Sequence, residues 1–196
     1  MKRNLITAIL MTVVTTILCG FVYPMVVTAL AQVFFHDKAN GQLIVRDGQT
    51  IGSRIIAQPF TGAGYFHPRG SAAGANGYDA ANSGGTNYGP TNQKFVDRVK
   101  ADVATAQAEN PAKPVPADYV TTSASGLDPD ITPANAEFQL LRVAKERGVT
   151  EEKVLALIHE HTASRQFQFL GEARVNVLEL NLDLDSKYPL QKRASR

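Results

Sequence analysis

The stretch LITAILMTVVTTILCGFVYPMVVTALAQVFF, residues 5–35, contains no charged side chain. Five threonines are its main polar content. A helix needs roughly 20 predominantly apolar residues to cross the hydrocarbon core of a bilayer, and this run is longer. The stretch therefore predicts a single transmembrane helix, and we assign residues 1–35 to an N-terminal membrane anchor.

The triplet Ala29-Leu30-Ala31 raises an alternative, because small residues at this spacing form cleavage sites for signal peptidase. A secretory signal has an apolar core of only about 7 to 15 residues before its cleavage site. Here the run from Leu5 to Ala31 contains 27 residues. This length favours a retained anchor, and a cleaved signal that frees a secreted domain remains the alternative.

The charges that flank the anchor predict its orientation. Lys2 and Arg3 lie at its N-terminal end, whereas Asp37 offsets Lys38 at the other end. Basic residues next to a membrane span favour the cytoplasmic side. We therefore expect a single-pass protein with a cytoplasmic N-terminus and an extracytoplasmic body formed by residues 36–196.

Small residues recur every four positions in the span, at Ala8, Thr12, Thr16, Gly20, Pro24 and Thr28. Such residues let helix backbones approach closely in lipid. Because an α-helix turns every 3.6 residues, only three or four consecutive positions share a face. The predicted contact with a partner subunit in the membrane consists of Thr12, Thr16, Gly20 and Pro24. The alternative is that small residues are simply common in membrane spans.

The composition of the body excludes several classes of protein. About 160 residues follow the span, which suits one compact domain. All 18 acidic residues but only 15 of the 20 basic residues lie between Asp37 and Lys187, so this region has a net charge of −3. Domains that bind nucleic acid are usually basic. The single cysteine, Cys19, lies in the span, so disulfides cannot stabilise the domain.

Local patterns predict a hairpin and three helices in the body. Two β-rich runs in residues 42–56 flank Asp47-Gly48, a dipeptide that favours a tight hairpin turn. The helices are predicted after Pro90 to about Asn110, from the N-cap Thr132 to Gly148, and after the N-cap Thr150.

The segment LELNLDL, residues 178–184, alternates leucines with polar residues and predicts a final strand. Val175 and Val177 have the opposite parity, which predicts a bulge near Val177. Together with the helices, these strands predict an extracytoplasmic domain of the α+β class.

Residues 58–90 are predicted to form a long loop, because eight glycines fall between Gly62 and Gly89. The loop also carries Tyr65, Phe66, Tyr78 and Tyr88, and this aromatic content is not typical of disorder. Long loops in compact domains are usually functional or disordered, so we predict an ordered binding loop. The alternative is a loop folded over its own domain, with its aromatic side chains tucked in.

The sequence argues against several kinds of chemistry. The helices around Gly148 have helix-turn-helix spacing, but Glu151 and Glu152 would face DNA phosphates. His159 and His161 are two residues apart and cannot bind one metal ion from the same helix face. No G-x-S-x-G sequence surrounds a serine, and no glycine precedes a lysine as a Walker A motif requires. We therefore expect neither a catalytic residue nor a metal site in this chain.

One short segment is a candidate anion site. The glycine pair in SGGTN, formed by Ser83, Gly84, Gly85, Thr86 and Asn87, places backbone N–H groups in succession. We name these five residues as a candidate nucleotide contact, and a simple turn is the alternative.

Five segments occur in an order that resembles one family. They are GSRIIAQPF (52–60), GYFHPRGSA (64–72), NSGGTNYGPTN (82–92), SASGLDPDITPANAEFQLLRVAKERG (123–148) and VNVLELNLDLD (175–185). With the N-terminal span, this order is similar to the KdpC family, the C subunits of potassium-transporting P-type ATPase complexes. Gly70 and Ala57 depart from the family pattern of proline and glycine, which bears on the rigidity of the loop.

The resemblance implies an accessory subunit in the bacterial inner (cytoplasmic) membrane that is not catalytic alone. Its partners would be a KdpA-like potassium channel subunit, a KdpB-like P-type ATPase subunit and a small KdpF-like peptide. The partners would handle ATP and K⁺, and the chain would act as a catalytic chaperone that raises the ATP affinity of the pump subunit. An extracytoplasmic body does not meet cytoplasmic ATP, so we expect any such effect to pass through the span.

Contacts outside the membrane are predicted at Gln58, Tyr65, Phe66, Arg69 and Ser71, with a structural turn at Ser125, Gly126 and Asp128. The alternative function is a membrane-anchored extracytoplasmic binding module for a soluble ligand.

Overall fold

The computed structural model describes residues 1–190 of the chain, so the last six residues of the predicted 36–196 domain lie outside the described part. The helices are α1 Lys2–Ile17, α2 Tyr23–Phe34, α3 His36–Ala39, α4 Gln93–Glu109, α5 Ala117–Val120, α6 Pro133–Arg147, α7 Glu151–Glu160 and α8 Val177–Lys187. The strands are β1 Leu43–Arg46, β2 Gln49–Ser53, β3 Asp130–Ile131, β4 Thr162–Ala163 and β5 Arg174–Asn176. The chain forms two compact units, and the second begins at Gly52.

The first unit, Met1–Ile51, contains the predicted apolar helix. Lys2–Phe34 is helical over 33 residues, is long and apolar enough to span a membrane, and buries none of its side chains in the protein. Apolar side chains that face outward all round a helix are typical of a segment that lies in lipid.

A widened turn interrupts the regular hydrogen bonding of this helix just before Pro24. Leu18–Val22 is a π-helical turn, and the Tyr23 N–H donates to the Leu18 carbonyl five residues earlier. Proline lacks an N–H, and its ring crowds the preceding turn of an α-helix. The π turn thus occurs where the helix has to accommodate the proline.

The predicted hairpin is present. β1 and β2 form a two-stranded sheet, and both Asp47 (φ 52°) and Gly48 (φ 76°) have positive φ angles. Two successive residues with positive φ are typical of the type I′ turn that joins hairpin strands.

The second unit packs helices against a small antiparallel sheet in the order β3-β5-β4. Asp130 pairs with Asn176 on one side of β5, and Ala163 pairs with Arg174 on the other. The main hydrophobic core includes Phe66, Ile131, Leu140, Val143, Val154, Leu157, Ile158, Val175, Leu180 and Leu184. A smaller cluster joins Ala106, Val120 and Phe138. The fold is α+β, as predicted.

The predicted helices α4, α6 and α7 form where their local signals indicate. The Thr132 hydroxyl accepts a hydrogen bond from the Asn135 N–H at the start of α6. Gly148 ends α6 with a left-handed backbone, φ 65°. Thr150 is the N-cap of α7, and α4 ends at Glu109 before Asn110.

The prediction of a strand at residues 178–184 is wrong, because these residues form most of α8. Asn176 caps the helix, and its side-chain oxygen accepts a hydrogen bond from the Glu179 N–H. Val177, Leu180 and Leu184 are buried, a spacing that matches a helix. The predicted bulge near Val177 is in fact the point where β5 ends and α8 begins.

Candidate partner-binding surface

The loop at residues 58–90 has no helix and no extended strand, and its one bridge joins Gly70 to Thr122. It is nevertheless held at defined points by side chains from α6, α8 and the 121–128 turn. These contacts determine which loop residues remain available to a partner.

Two buried amide side chains hold the backbone of Phe66 and His67. The Phe66 N–H donates to Asn181 Oδ1 at 2.8 Å, and Asn181 Nδ2 donates to the Phe66 carbonyl at 2.9 Å. The His67 N–H donates to Gln139 Oε1 at 2.8 Å, and Gln139 Nε2 donates to the His67 carbonyl at 3.0 Å. Each amide thus satisfies both backbone groups of one loop residue, as a neighbouring strand would. We call Asn181 and Gln139 the amide clamps.

Two arginines of α6 hold the preceding loop residues. Arg142 donates to the carbonyls of Ala63 (2.7 Å) and Tyr65 (2.9 Å) and pairs with Glu109 at 2.6 Å. Arg147, whose side chain is 0% exposed, donates to the Gly64 carbonyl at 2.6 Å. A buried guanidinium must be paired, and Asp185 accepts from Arg147 at 2.9 Å.

The sequence does not identify these four side chains as functional. Gln139 lies four residues before Val143, and Arg147 lies four residues after it, and this spacing marks the buried face of α6. Polar residues on such a face are the available signal, because buried polar groups require partners.

Two of the predicted outer contacts are folded into the domain itself. Phe66 is 0% exposed and belongs to the main core. Tyr65 is half-buried beneath the Arg147 guanidinium, 4.8 Å from the ring centre, and its hydroxyl donates to Asp185 at 3.2 Å. Burial and the Asp185 carboxylate raise the pKa of Tyr65. For these two residues the structure matches the alternative of aromatic side chains tucked into their own domain.

Ser71 and Arg69 lie together with the predicted 125–128 turn. The Ser71 hydroxyl donates to the Gly126 carbonyl at 2.6 Å and accepts from the Tyr78 N–H at 2.7 Å. Arg69 pairs with Asp128 at 2.9 Å. A side chain at Gly126 (φ 69°) would meet the Ala73 N atom at 2.8 Å, so this close approach requires glycine.

Gln58 precedes Arg69 and Ser71 in the sequence, and the segment Ser83–Asn87 follows them. Gln58 is half-buried, with its amide against Gly52. The Gly84 N–H and the Ser83 hydroxyl both donate to the Ser125 carbonyl at 2.9 Å. These two donors are engaged within the fold, as a turn requires. A nucleotide contact at Ser83–Asn87 therefore stays a prediction that rests on the remaining three residues.

Two clefts meet at Arg69. One has a volume of about 400 Å³ and is lined by Arg69, Gly85, Thr86, Asn87, Tyr88, Phe95 and Thr121–Ala124. The other has a volume of about 520 Å³ and is lined by Ile55, Ile56, Arg69, Ser123–Ser125 and Leu127–Pro129. Within the described residues, Arg69 Nε is buried without a hydrogen-bond partner. We call the two clefts and their rims the Arg69 surface.

The serines of the Arg69 surface are engaged in the turn beneath it. Ser123 and Ser125 lie 3.1 Å apart, oxygen to oxygen, and they cap the turn through the N–H groups of Gly126 and Leu127. In residues 1–190 no group of three His, Cys, Asp or Glu side chains is placed to hold a metal ion. The rims present Ile55 and Tyr88 to solvent, and such side chains are common anchors in protein interfaces.

The histidine of the loop is kept neutral by its surroundings. Burial lowers the pKa of His67, and the nearby Arg142 guanidinium lowers this pKa further. His67 Nε2 lies 3.1 Å from the Gly62 carbonyl, so the neutral ring donates its proton there. His67 therefore serves the loop as a fixed donor at neutral pH.

Comparison with known proteins places this architecture in a family. A family model for the K⁺-transporting ATPase c chain, KdpC, matches residues 5–186, which include both the apolar helix and the domain. The chain is 67% identical to the potassium-transporting ATPase KdpC subunit of Koribacter versatilis, over 97% of this chain and 98% of that protein. It is 53% identical to the KdpC subunit of Rhodospirillum rubrum over 97% and 99%. The chain thus belongs to the KdpC family, the c chains of K⁺-transporting ATPases.

Proposed function

We propose that this protein is an accessory subunit of an ATP-driven potassium uptake complex, which it assembles and stabilises. The observation that carries this proposal is the extent of the family match, since residues 5–186 include the membrane helix as well as the folded domain. The partners are a channel-like potassium subunit, a P-type ATPase subunit and a small membrane peptide.

The chain contributes no chemistry of its own in this proposal. Three of its buried polar side chains are occupied in holding the loop: Asn181 and Gln139 bind loop backbone, and Arg147 donates to the Gly64 carbonyl. Such a domain is a preorganised surface, which is what an assembly factor provides. ATP and K⁺ are handled by the partner subunits.

The membrane helix carries any influence on ATP affinity. The N-terminal charges, Lys2 and Arg3, favour a cytoplasmic N-terminus and an extracytoplasmic domain, away from cytoplasmic ATP. Contacts through Thr12, Thr16, Gly20 and Pro24 then couple the subunit to the pump. Outside the membrane, Gln58, Arg69 and Ser71 contact partners, and Arg69 does so from the Arg69 surface.

Protease accessibility tests the orientation. Cells of a Gram-negative host that express the chain with an N-terminal tag are treated with protease after only the outer membrane has been opened. We expect loss of the domain and survival of the tagged N-terminus. Survival of the domain, with degradation only after the inner membrane is broken, contradicts the extracytoplasmic placement and favours direct nucleotide contact.

Copurification tests the assembly role. A tag on the ATPase subunit is expected to retain this chain in mild detergent, and deletion of the chain is expected to abolish growth at limiting K⁺. If the chain is not retained and growth is unaffected, it is not a subunit of the pump.

The Arg69 surface favours a second candidate, an anchored binding module for a soluble ligand. Its two clefts, of about 400 and 520 Å³, are large enough for small molecules. Saturable binding of a small anion by the detergent-solubilised chain in the absence of partners would support this function.

A further inference from the structure

The hairpin formed by β4 and β5 ends in a narrow turn. Beyond the paired strands, Gln166 and Leu170 form an isolated bridge, in which each N–H donates to the other residue's carbonyl at 2.9 Å. Phe167, Gln168 and Phe169 form the tip between them. We call residues 165–172 the phenylalanine turn.

The apolar side chains of the phenylalanine turn are uncovered. Phe167 is 73% exposed, Phe169 is 71% exposed and Leu170 is 48% exposed. Among the described residues after Phe35, the two phenylalanines are the most exposed large apolar side chains. Clustered exposed apolar side chains in a soluble domain mark an interaction site.

The backbone of the turn is strained in a way that helps to present these rings. Phe167 has φ 52° and Gln168 has φ 70°, in the left-handed region that bulky residues rarely adopt. Such a conformation costs free energy, and the structure around it must hold it in place. Here the bridge at Gln166 and Leu170 and an Arg165–Glu172 ion pair of 2.7 Å close the base of the turn. A turn fixed in this way loses little conformational entropy when it binds.

Charge indicates a protein partner rather than a lipid surface. Arg165 and Glu172 are the only charged residues of the turn, and they neutralise each other. Elements that bind lipid surfaces usually combine apolar side chains with a surplus of Lys and Arg. The turn has the apolar side chains but no surplus of positive charge. Two phenylalanine rings on a rigid, neutral tip are suited to an apolar pocket in a protein.

We propose that the phenylalanine turn inserts Phe167 and Phe169 into an apolar pocket on another subunit of the K⁺-transporting ATPase, and so anchors the domain of this chain to the complex. The inference rests on the proposed function, because the partner is a pump subunit. It adds the site of attachment, which lies on the β4-β5 hairpin and outside the Arg69 surface.

Photo-crosslinking in the intact complex tests the site directly. The full chain carries Phe167→p-benzoylphenylalanine, which keeps an aromatic ring at the tip, and the control carries the same residue at Val103 on the exposed side of α4. Ultraviolet light is expected to join the Phe167 variant, but not the control, to another pump subunit. A crosslink to lipid only, to a second copy of this chain only, or to nothing overturns the proposal.

A double substitution measures how strongly the phenylalanine turn holds the chain to the complex. Phe167→Ser with Phe169→Ser is expected to weaken retention of the chain by the tagged ATPase subunit by roughly thirtyfold, as loss of an aromatic hot spot does. Val103→Ser, which also removes an exposed apolar side chain, is the matched control and is expected to have no effect. Unchanged thermal unfolding confirms that both variants fold. Retention of the double variant at the level of the control overturns the proposal.

The two proposals fail in different ways. If the wild-type chain does not copurify with the pump, the proposed function fails, and the proposed attachment through the phenylalanine turn fails with it. If the wild-type chain copurifies, but Phe167 gives no crosslink to a pump subunit, only the attachment through the phenylalanine turn is wrong.

Discussion

Single side chains with two hydrogen-bonding ends hold the long loop to this domain. Asn181 is 1% exposed and bonds both backbone groups of Phe66, a residue 115 positions away in the sequence. The other clamp, Gln139, bonds His67 and also donates to Asn135 Oδ1 at 2.8 Å. Because Asn181 and Phe66 are both buried, removing the Asn181 side chain leaves backbone groups that water cannot reach.

Asn181→Ala is expected to lower the free energy of unfolding by about 3 kcal/mol, since it leaves the N–H and C=O of Phe66 unpaired. Denaturant unfolding of the full chain in detergent measures this loss. Asn76→Ala, at an exposed loop position, is the control and is expected to change stability by less than about 0.5 kcal/mol. Equal effects of the two substitutions would mean that the clamp does not stabilise the loop.

His67 gives the stability of the domain a dependence on pH. Its pKa in the folded protein is below that of an unfolded histidine, mainly because of burial. The unfolded state therefore binds a proton more readily, and the contribution of His67 to stability is complete above the unfolded pKa of about 6.5 and is lost as the pH falls through the folded pKa.

We expect the wild-type chain to lose more stability than His67→Gln between about pH 7.5 and pH 5.5. Paired unfolding curves at both pH values measure this difference, and the other histidines cancel because both proteins contain them. Parallel losses in the two proteins would show that His67 is not responsible.

Caps determine where the helices of the domain begin. Thr132 accepts from the Asn135 N–H at 3.1 Å and donates to Asp118 at 3.0 Å. Thr150 occupies the same N-cap position in α7 but makes no capping hydrogen bond through its side chain. The two threonines therefore form a natural pair for comparison.

Thr132→Ala is expected to destabilise the domain by about 1–2 kcal/mol, because it removes a cap that is itself hydrogen-bonded. Thr150→Ala is expected to cost less than about 0.5 kcal/mol, because no capping bond is lost. Thermal unfolding of both variants provides the comparison. A larger cost at Thr150 would reverse this assignment.

The whole chain combines an exposed apolar helix with a domain whose own groups are largely satisfied. Thr12, Thr16, Gly20 and Pro24 all lie uncovered along the helix. Four residues of regular α-helix rotate by more than a full turn, so positions four apart drift around the helix. The π turn at Leu18–Val22 rotates less per residue and reduces this drift. Thr16, Gly20 and Pro24 thereby stay closer to one face.

Thr16→Leu with Gly20→Leu is expected to reduce copurification with the pump by roughly tenfold, because bulky residues prevent close helix contact. The matched control is Val14→Leu with Val22→Leu. Val14 lies two residues from Thr16 and Val22 lies two residues from Gly20, so both valines are on the opposite side of the helix. Retention is measured with a tag on the ATPase subunit in mild detergent. Equal retention of both double variants would exclude the small-residue face as a contact.

Signals between near neighbours made part of this structure predictable. Three signals act on the residues that carry them and on near neighbours in the sequence. They are the absence of charge in residues 5–35, the Asp47-Gly48 turn and the Thr132-Pro133 start of α6. Each produced the element that it predicts, because its physical cause is local: desolvation of charge, positive φ, or an N-cap.

Contacts between distant residues decided the rest. Residues 178–184 alternate like a strand, yet they form a helix because the Asn176 cap and the buried Val177, Leu180 and Leu184 outweigh the alternation. Phe66 lies in the core rather than on a binding surface, because Asn181 satisfies its backbone from the other end of the chain. No pattern within a short segment specifies such a partner, since the free energy comes from packing and hydrogen bonds that exist only once the chain has folded.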